Sequence, residues 1–473
     1  MTAGKWLTAA AFGLIAIAVL TFRPVQTPGP FLRDFEAYWS AGAAWNTHAD
    51  PYGRAVWNAE RRVPGVDGSR DELLPFAGPP ATLLAWSALA RLPYVVAARM
   101  WFVLLLLAAL ALALLAVGAS GRRVFWTPSL AAVAMALAFG PLTSDLALGQ
   151  IALLAFLGAC VAVVFGARAT RSPLAQAVAT FVALLQPNVA VGLVSQLGRV
   201  RTALAIALGA AAAYAAGAYV AGWSWPLDYA RRIVAHESAE RFSAIQLTPA
   251  AIAYGTGASS ALVEIATVVA AAAALAAAIA IWRRADPFAR FAALSALTPF
   301  AAGFFHEHDL VVAYAAATWC AIRSRGSARY LALAGTLLVA IDWLGLAQRP
   351  SGIAQSALLA AAIVCAFIAL ADERNPRATA ATLAPMAILF IFSAWLAAGH
   401  PAPVWPDALG NFHAPAAASA ASVWHDEQQR SGLLAIDPAW AFLRALSLTG
   451  CAVLALAIYR THPVASNAPH ENA

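Results

Sequence analysis

Charged side chains are scarce in this sequence. They make up 11% of its 473 residues, where soluble domains carry about 25%, so an ordinary soluble enzyme is excluded. Cysteine is sparser still. Cys160, Cys320, Cys365 and Cys451 all fall inside apolar runs, which argues for small core residues and against a disulfide framework or a cysteine metal site. The chain has no GxxxxGK[ST] or GxGxxG loop, no GxSxG elbow and no HExxH pair. Nothing of those kinds cradles a nucleotide phosphate, activates a serine or holds zinc. An enzyme driven by cytoplasmic nucleotide is set aside on that ground.

What the sequence does have is apolar length. Hydrophobic residues make up 62% of the chain and recur in runs of about 17–24, long enough to cross a bilayer as helices. Candidate spans are 5–22, 94–118, 126–142, 148–166, 202–222, 259–282, 287–304, 308–322, 328–347, 352–371, 380–399 and 440–460. The expected fold is an all-α polytopic membrane protein, one domain over residues 1–473 with about 12 transmembrane helices. Lys5 and the apolar residues to Leu20 resemble a signal peptide, but no small-residue cleavage pattern follows closely, so this stretch reads as the first span.

Two apolar pieces fit less easily. Residues 79–92 are too short to span and begin with Pro79-Pro80, the pattern of an interfacial or re-entrant helix. Residues 173–198 carry Pro187 in their middle. Arg168 and Arg171 precede that piece, and Arg199 and Arg201 follow it. Both pairs stay cytoplasmic only if the piece dips in and returns as a re-entrant helical hairpin. With that choice Arg122-Arg123, Arg283-Arg284, Arg323, Arg325, Arg329, Arg374, Arg377 and Arg460 also fall inside. The formal charge of +7 therefore reads as membrane orientation rather than nucleic-acid binding. Both termini are expected in the cytoplasm. The 23–78 loop, the Thr143–Asp145 turn, residues 223–258, the 304–309 turn and the 400–439 loop are expected to face outward.

The outward segments hold most of the unusual polar residues. "FLRDFEAYWSAGAAWNTHADPYG" packs Asp34, Glu36, Tyr38, Asp50 and Tyr52 into Phe31–Gly53. Asp34 and Glu36, two apart, point to different sides of a helix. An ionisable group near the membrane boundary is a functional candidate, with a solvated partner of Arg33 or Arg23 as the plain alternative. Asp50-Pro51-Tyr52 reads as a turn with an interfacial ring. Gln150 places an amide at the start of a span, where it meets substrate or caps the helix. Gln186 and Asn188 flank Pro187 and should face the bundle interior, since irregular backbone at membrane depth must be buried or line a cavity. His306, Glu307, His308 and Asp309 form the densest titratable cluster. On a helix the two histidines would face apart, so zinc is weakly supported, and phosphate binding or proton transfer suits them better.

In order and spacing these pieces resemble family 87 of the polyprenol-phosphate-dependent glycosyltransferases, multi-span proteins of the GT-C type. "DFEAYWSAGAAWNTHADPY" looks like the family's opening Asp, aromatic-rich helix and D-P-Y turn. "GPPATLLAWSALARLP" followed by Trp101 resembles its Y-P-P segment. "GQIALL" resembles its G-Q-N element, and "HEHDLVVAY" its late His/Asp turn. The resemblance covers about residues 30–320. It implies that Asp34 is the catalytic base, taking the proton from an acceptor hydroxyl that displaces an anionic lipid phosphate with inversion. Arg33, His306 and His308 are then candidates for the phosphate. Glu36, Tyr38, Tyr52, Gln150, Gln186, Asn188, Glu307 and Asp309 complete the expected donor and acceptor site.

The implied partners are a polyprenyl-phosphate sugar donor, a lipid or glycan acceptor and membrane lipids, with no nucleic acid. Mannose is the leading sugar and an arabinose-like pentose the alternative. The implied setting is the bacterial inner (plasma) membrane, with the site on the periplasmic face. No cofactor is expected and no metal ligand is assigned, although the His306–Asp309 cluster could supply ligands to a divalent cation. The chain departs from the family in two places: Gln186-Pro187 stands where Lys-Pro is common, and Ala77-Gly78 precedes Pro79-Pro80 where the family has Tyr. Two other classes remain: a transporter or flippase of a lipid-linked sugar, and a polysaccharide ligase or polymerase. The first would place ionisable groups in mid-span, whereas most carboxylates here cluster at the outer ends, with Asp342, near the end of its span, the main exception. The second would concentrate arginine in the outer loops, as Arg231, Arg232 and Arg241 do.

Overall fold

The structure, a computed structural model, describes residues 3–21, 29–121, 126–167, 172–349, 352–371 and 375–462. Of the arginines used to orient the chain, Arg122, Arg123, Arg168, Arg171 and Arg374 lie outside the described residues, as does Arg23. Among the described residues the fold is helical, with no strand.

Among the described residues, seven helices are long and apolar enough to cross a membrane: Ala3–Thr21, Tyr94–Ala119, Val200–Ala221, Ser260–Trp282, Ile353–Leu370, Pro376–Gly399 and Pro438–Thr461. Lipid exposure explains their composition. Val268, Leu275, Ile388 and Trp395 are each more than half exposed, and apolar surface of this extent belongs against acyl chains rather than water. The chain is a multi-pass membrane protein. Pro438–Thr461 packs on Gly326–Ala340 and Ala3–Thr21 on Ile353–Leu370, and the core centres on Ala313–Arg323, buried from Ala313 to Ile322.

Other expected spans are shorter or broken, each at an identifiable residue. The 126–142 run divides into Trp126–Ala138 and Gly140–Leu148, bent by 65°. Pro141 sits in the first turn of the second piece, where a missing N–H costs nothing. Thr143–Asp145 therefore lies inside a helix rather than forming a turn. That helix ends at Gly149, whose φ of 80° is left-handed. The 287–304 run is helical only over Pro287–Leu297 and tightens into a 3-10 turn at Thr298–Phe300. The 308–322 run opens as a 3-10 turn, His308–Val312, before Ala313–Arg323. The 328–347 run breaks after Ala340. There Asp342 accepts the Gly345 N–H at 2.8 Å and caps Trp343–Gln348, which accounts for a carboxylate within an apolar stretch. In the 173–198 piece, Pro173–Ala183 stops before Pro187, and Pro187–Ala190 and Val191–Gln196 follow as short turns.

The polar segments meet one another. Asp71 N–H donates to the Phe412 carbonyl at 2.8 Å, and Ala414 N–H donates to Asp71 at 2.9 Å. Tyr229 donates to Ala77 O at 3.1 Å. Ala244 N–H reaches Leu433 O, and Leu247 N–H reaches Phe305 O, both at 2.7 Å. Loops 29–78, 223–258, 304–309 and 400–437 thus form one assembly, and the candidate site lies within it.

Candidate active site

The helix Arg33–Asn46 carries the first candidates. It opens directly after Leu32, at φ 62°. The Tyr94 hydroxyl lies 2.6 Å from the Phe31 carbonyl and 2.9 Å from that of Leu32, holding this entry in place. Asp34 and Glu36 occupy the first turn, where the helix dipole favours negative charge. Phe35 is fully buried and stacks on Trp101 at 6.0 Å, and Tyr38 stacks on Trp86 at 4.8 Å. Gly42 permits that packing, because a Cβ there would fall 2.3 Å from the Trp86 carbonyl oxygen.

Gly149 brings the second part of the site to the first. A Cβ on it would lie 2.8 Å from Leu32 Cβ and 3.0 Å from Phe35 Cβ, and Trp101 Nε1 donates to its carbonyl at 2.7 Å. With Gly149 pressed against the start of the helix, Gln150 reaches Asp34. The Gln150 amide donates to the Asp34 carboxylate and its carbonyl accepts from the Tyr38 hydroxyl, in two short hydrogen bonds. Asp34 keeps part of its surface open, yet its carboxyl is deep enough that desolvation pushes its pKa up to about 6, against the opposing pull of Gln150, His306 and Arg33.

The histidine turn supplies the opposing face. His306 N–H donates to Asp309 Oδ2 at 3.0 Å, and the His306 and His308 rings are 5.1 Å apart. The segment is an irregular turn running into a 3-10 helix, so the expectation that the two rings face apart does not hold. His306 Nε2 is 3.0 Å from Gln246 Nε2 and 3.6 Å from Glu240 Oε2. Burial alone would lower the His306 pKa, but Glu240, Asp309 and Asp34 together raise it above its ordinary value.

Other expected residues are placed elsewhere. Glu36 and Asp34 part company: Arg33 bonds Glu36 at 3.2 Å and Glu72 at 2.9 Å, while its guanidinium lies 5.2 Å from the Trp405 ring. Arg33 is thereby committed to Glu36 and Glu72. Tyr52 donates to Gly78 O at 2.8 Å, under the Arg232 guanidinium at 4.6 Å, so it braces the turn before Pro79-Pro80. Glu307 faces Ser144 and Asp342 rather than Asp34. Asn188 accepts from the Val189 N–H at 3.1 Å, and its short helix packs on His308–Val312. Gln186 caps that helix without a side-chain bond to it and is half-buried.

Donor atoms of His306, His308 and Asp309 come within 4.8 Å of one another, a spacing a divalent cation can bridge. His306 Nε2 is already engaged by Gln246 and Glu240 and Asp309 Oδ2 by a backbone N–H, while Asp309 Oδ1 is buried with no hydrogen-bond partner among the described residues. A cavity of about 430 Å³ opens behind the end of helix Trp225–Glu240, lined by Ser238, Arg241, Phe242, Tyr254, His425 and Gln429. Its lining contains neither Asp34 nor His306.

Glu240, Gln246 and the Glu72–Arg70 pair at 2.8 Å were missed from sequence. His236 and Glu240, four apart on one helix, were legible as a pair. Their meeting with His306 was not.

Residues 76–305 match the family model of glycosyltransferase family 87, a match that points to glycosyl transfer. Gln150 and Glu240 lie inside the matched stretch, Asp34 before it and His306 one residue beyond it. No curated protein and no solved structure matches the chain.

Proposed function

We propose that the protein is an inverting glycosyltransferase that moves a sugar, mannose first among candidates, from a polyprenyl-phosphate donor to a lipid or glycan acceptor on the periplasmic face of the bacterial inner membrane. Asp34 takes the proton of the acceptor hydroxyl. The acceptor oxygen attacks the anomeric carbon as the bond from that carbon to the phosphate oxygen breaks, and the lipid phosphate leaves with the electron pair. His306, charged, donates a hydrogen bond to that phosphate as its negative charge grows. One oxygen of Asp34 is held by Gln150, which aims the other at the acceptor. A carboxyl with a pKa of about 6 is mostly ionised at neutral pH yet still basic enough to accept a proton.

The observation that carries this reading is the Tyr38–Gln150–Asp34 hydrogen-bond chain beside His306. Such a chain orients a base, and the partner that holds it is a neutral amide, which adds no charge beside an anionic leaving group. About twelve crossings with both termini cytoplasmic, and a re-entrant 173–198 hairpin, complete the proposal. Reporter fusions at the two termini test that orientation.

The decisive comparison is wild type against Asp34→Asn in nanodiscs, given radiolabelled polyprenyl-phosphate mannose and a membrane-lipid extract as acceptor pool. The expected result is transfer by the wild type and a loss of about 10²–10⁴-fold in the variant, with donor binding retained. Equal transfer by both would remove Asp34 from the mechanism.

A further inference from the structure

Helix Trp225–Glu240 ends on a carboxylate that is 1% exposed. Its partners come from three separate elements. His236 Nε2, one turn back, is 3.1 Å from Glu240 Oε1. Trp424, on helix Ala420–Arg430, donates its indole N–H to Oε2 at 3.0 Å. His306, on the turn that faces Asp34, places Nε2 3.6 Å from the same oxygen. A charge buried this deeply is retained only where partners compensate it.

Gln246 makes the opposite demand on the same nitrogen. Its Oε1 accepts from the Phe305 N–H at 2.9 Å, and this fixes which end of the amide faces the ring. The end that faces His306 Nε2, at 3.0 Å, is the NH2 group. An amide NH2 can only donate, so it favours a ring whose Nε2 carries no proton. The Glu240 carboxylate can only accept, so it favours a ring whose Nε2 does carry one. Two buried groups of fixed orientation thus pull one imidazole nitrogen toward opposite protonation states.

We propose that Glu240 and Gln246 are positioning residues that jointly set the charge of His306, Glu240 drawing a proton onto Nε2 and Gln246 favouring the neutral ring. The purpose assigned to that charge rests on the function proposed above: with Nε2 held by Glu240 and Gln246, the charged ring donates a hydrogen bond to the departing phosphate through Nδ1, its other nitrogen. Other charged or titratable groups face the ring and act in the same balance. These are Asp34 from helix Arg33–Asn46, Asp309 and His308 from its own turn, and His236 beside Glu240. Glu237 lies against Gly303 just upstream. The net outcome favours the proton, since the His306 pKa is raised while Glu240 is held well below the usual carboxylate range against the cost of its burial.

The test reads His306 directly and needs no substrate. The rate of deuterium exchange at the imidazole C2 position, followed by mass spectrometry across pH, gives a midpoint for each histidine of the full-length protein. Two isosteric variants should move the His306 midpoint in opposite directions. Glu240→Gln, which removes the acceptor charge, lowers it by about one unit or more. Gln246→Glu, which keeps the Phe305 bond and replaces the facing NH2 with a carboxylate oxygen, raises it. If neither variant moves the His306 midpoint, or both move it the same way, the proposal is overturned.

Sugar transfer measured on the same samples separates the two readings. If the midpoint shifts as expected and the alkaline limb of the pH–rate profile follows it, both stand. If the midpoint shifts and the profile does not follow, the pair still sets the charge, but His306 has no part in the reaction. Glu240→Asp should recover most of the wild-type midpoint, which a purely structural role for Glu240 would not require.

Discussion

The amide of Gln150 donates to the carboxylate of Asp34, although 116 positions separate them in the chain. This bond lowers the Asp34 pKa against the larger upward push of burial. Its removal therefore has a definite sign. In Gln150→Leu, Asp34 is buried without its donor, so the acid limb of the pH–rate profile moves above about 6 and transfer at pH 7 falls by about 10–100-fold. A profile whose acid limb stays in place would show that Gln150 does not act on the base.

The wild-type profile itself should be bell-shaped. Transfer rises as Asp34 loses its proton near pH 6 and falls on the alkaline side as His306 loses one, above the ordinary histidine range. Initial rates at saturating donor between pH 5 and 9 would test this. A rate that climbs steadily to pH 9 would deny His306 a charged role.

Gly149→Ala should be costly, because the backbone there has φ 80° and the new methyl group would meet Leu32 and Phe35. A loss of about 1–3 kcal/mol is expected, together with weakened transfer as Gln150 moves off Asp34. Thermal unfolding in detergent measures the first and the radiolabel assay the second. Unchanged stability would mean that the start of helix Arg33–Asn46 yields easily.

The contact between the 29–78 and 400–437 loops should loosen in alkali. Burial pushes both Glu36 and Glu427 up to about 8, against the pull of Arg33 on the first and of the Leu73 N–H on the second. The folded state thus holds protons that the unfolded chain would release. Stability from these groups is complete below the ordinary glutamate range and is lost as pH rises through about 8. Amide exchange at Asp71, Leu73 and Ala414, all bonded across the two loops, should accelerate between pH 7 and 9 beyond the intrinsic base-catalysed increase. Protection that persists to pH 9 would count against proton-held packing.

Chelation should leave transfer unchanged, since the proposed mechanism gives His306 a proton and the His306–His308–Asp309 set no cation. A fall in rate with EDTA that manganese or magnesium restores would assign the cluster to a cation instead.

The membrane character of the chain was legible in the sequence because hydrophobic length is local: a run of about 20 apolar residues reports its own environment. The seven long helices needed nothing more. Motif order, likewise a property of the linear chain, led to the family whose model matches residues 76–305. Where spans are interrupted, residue type alone was insufficient. Pro141 and Asp342 mark helix starts in the structure, yet each lay inside a run that hydropathy alone left continuous.

Tertiary structure decided which polar groups meet. No local pattern sends Arg33 to Glu72 rather than to Asp34, or joins Glu240 to a histidine 66 positions later. Those pairings depend on how four polar segments close over one end of the bundle, and on close backbone approaches such as Gly149 against Leu32. Burial then turns ordinary acids and imidazoles into groups of shifted acidity. The sequence determined the solvent of each helix and the inventory of its polar residues. Their partners, and with them their chemistry, were set by long-range packing that no single stretch of chain encodes.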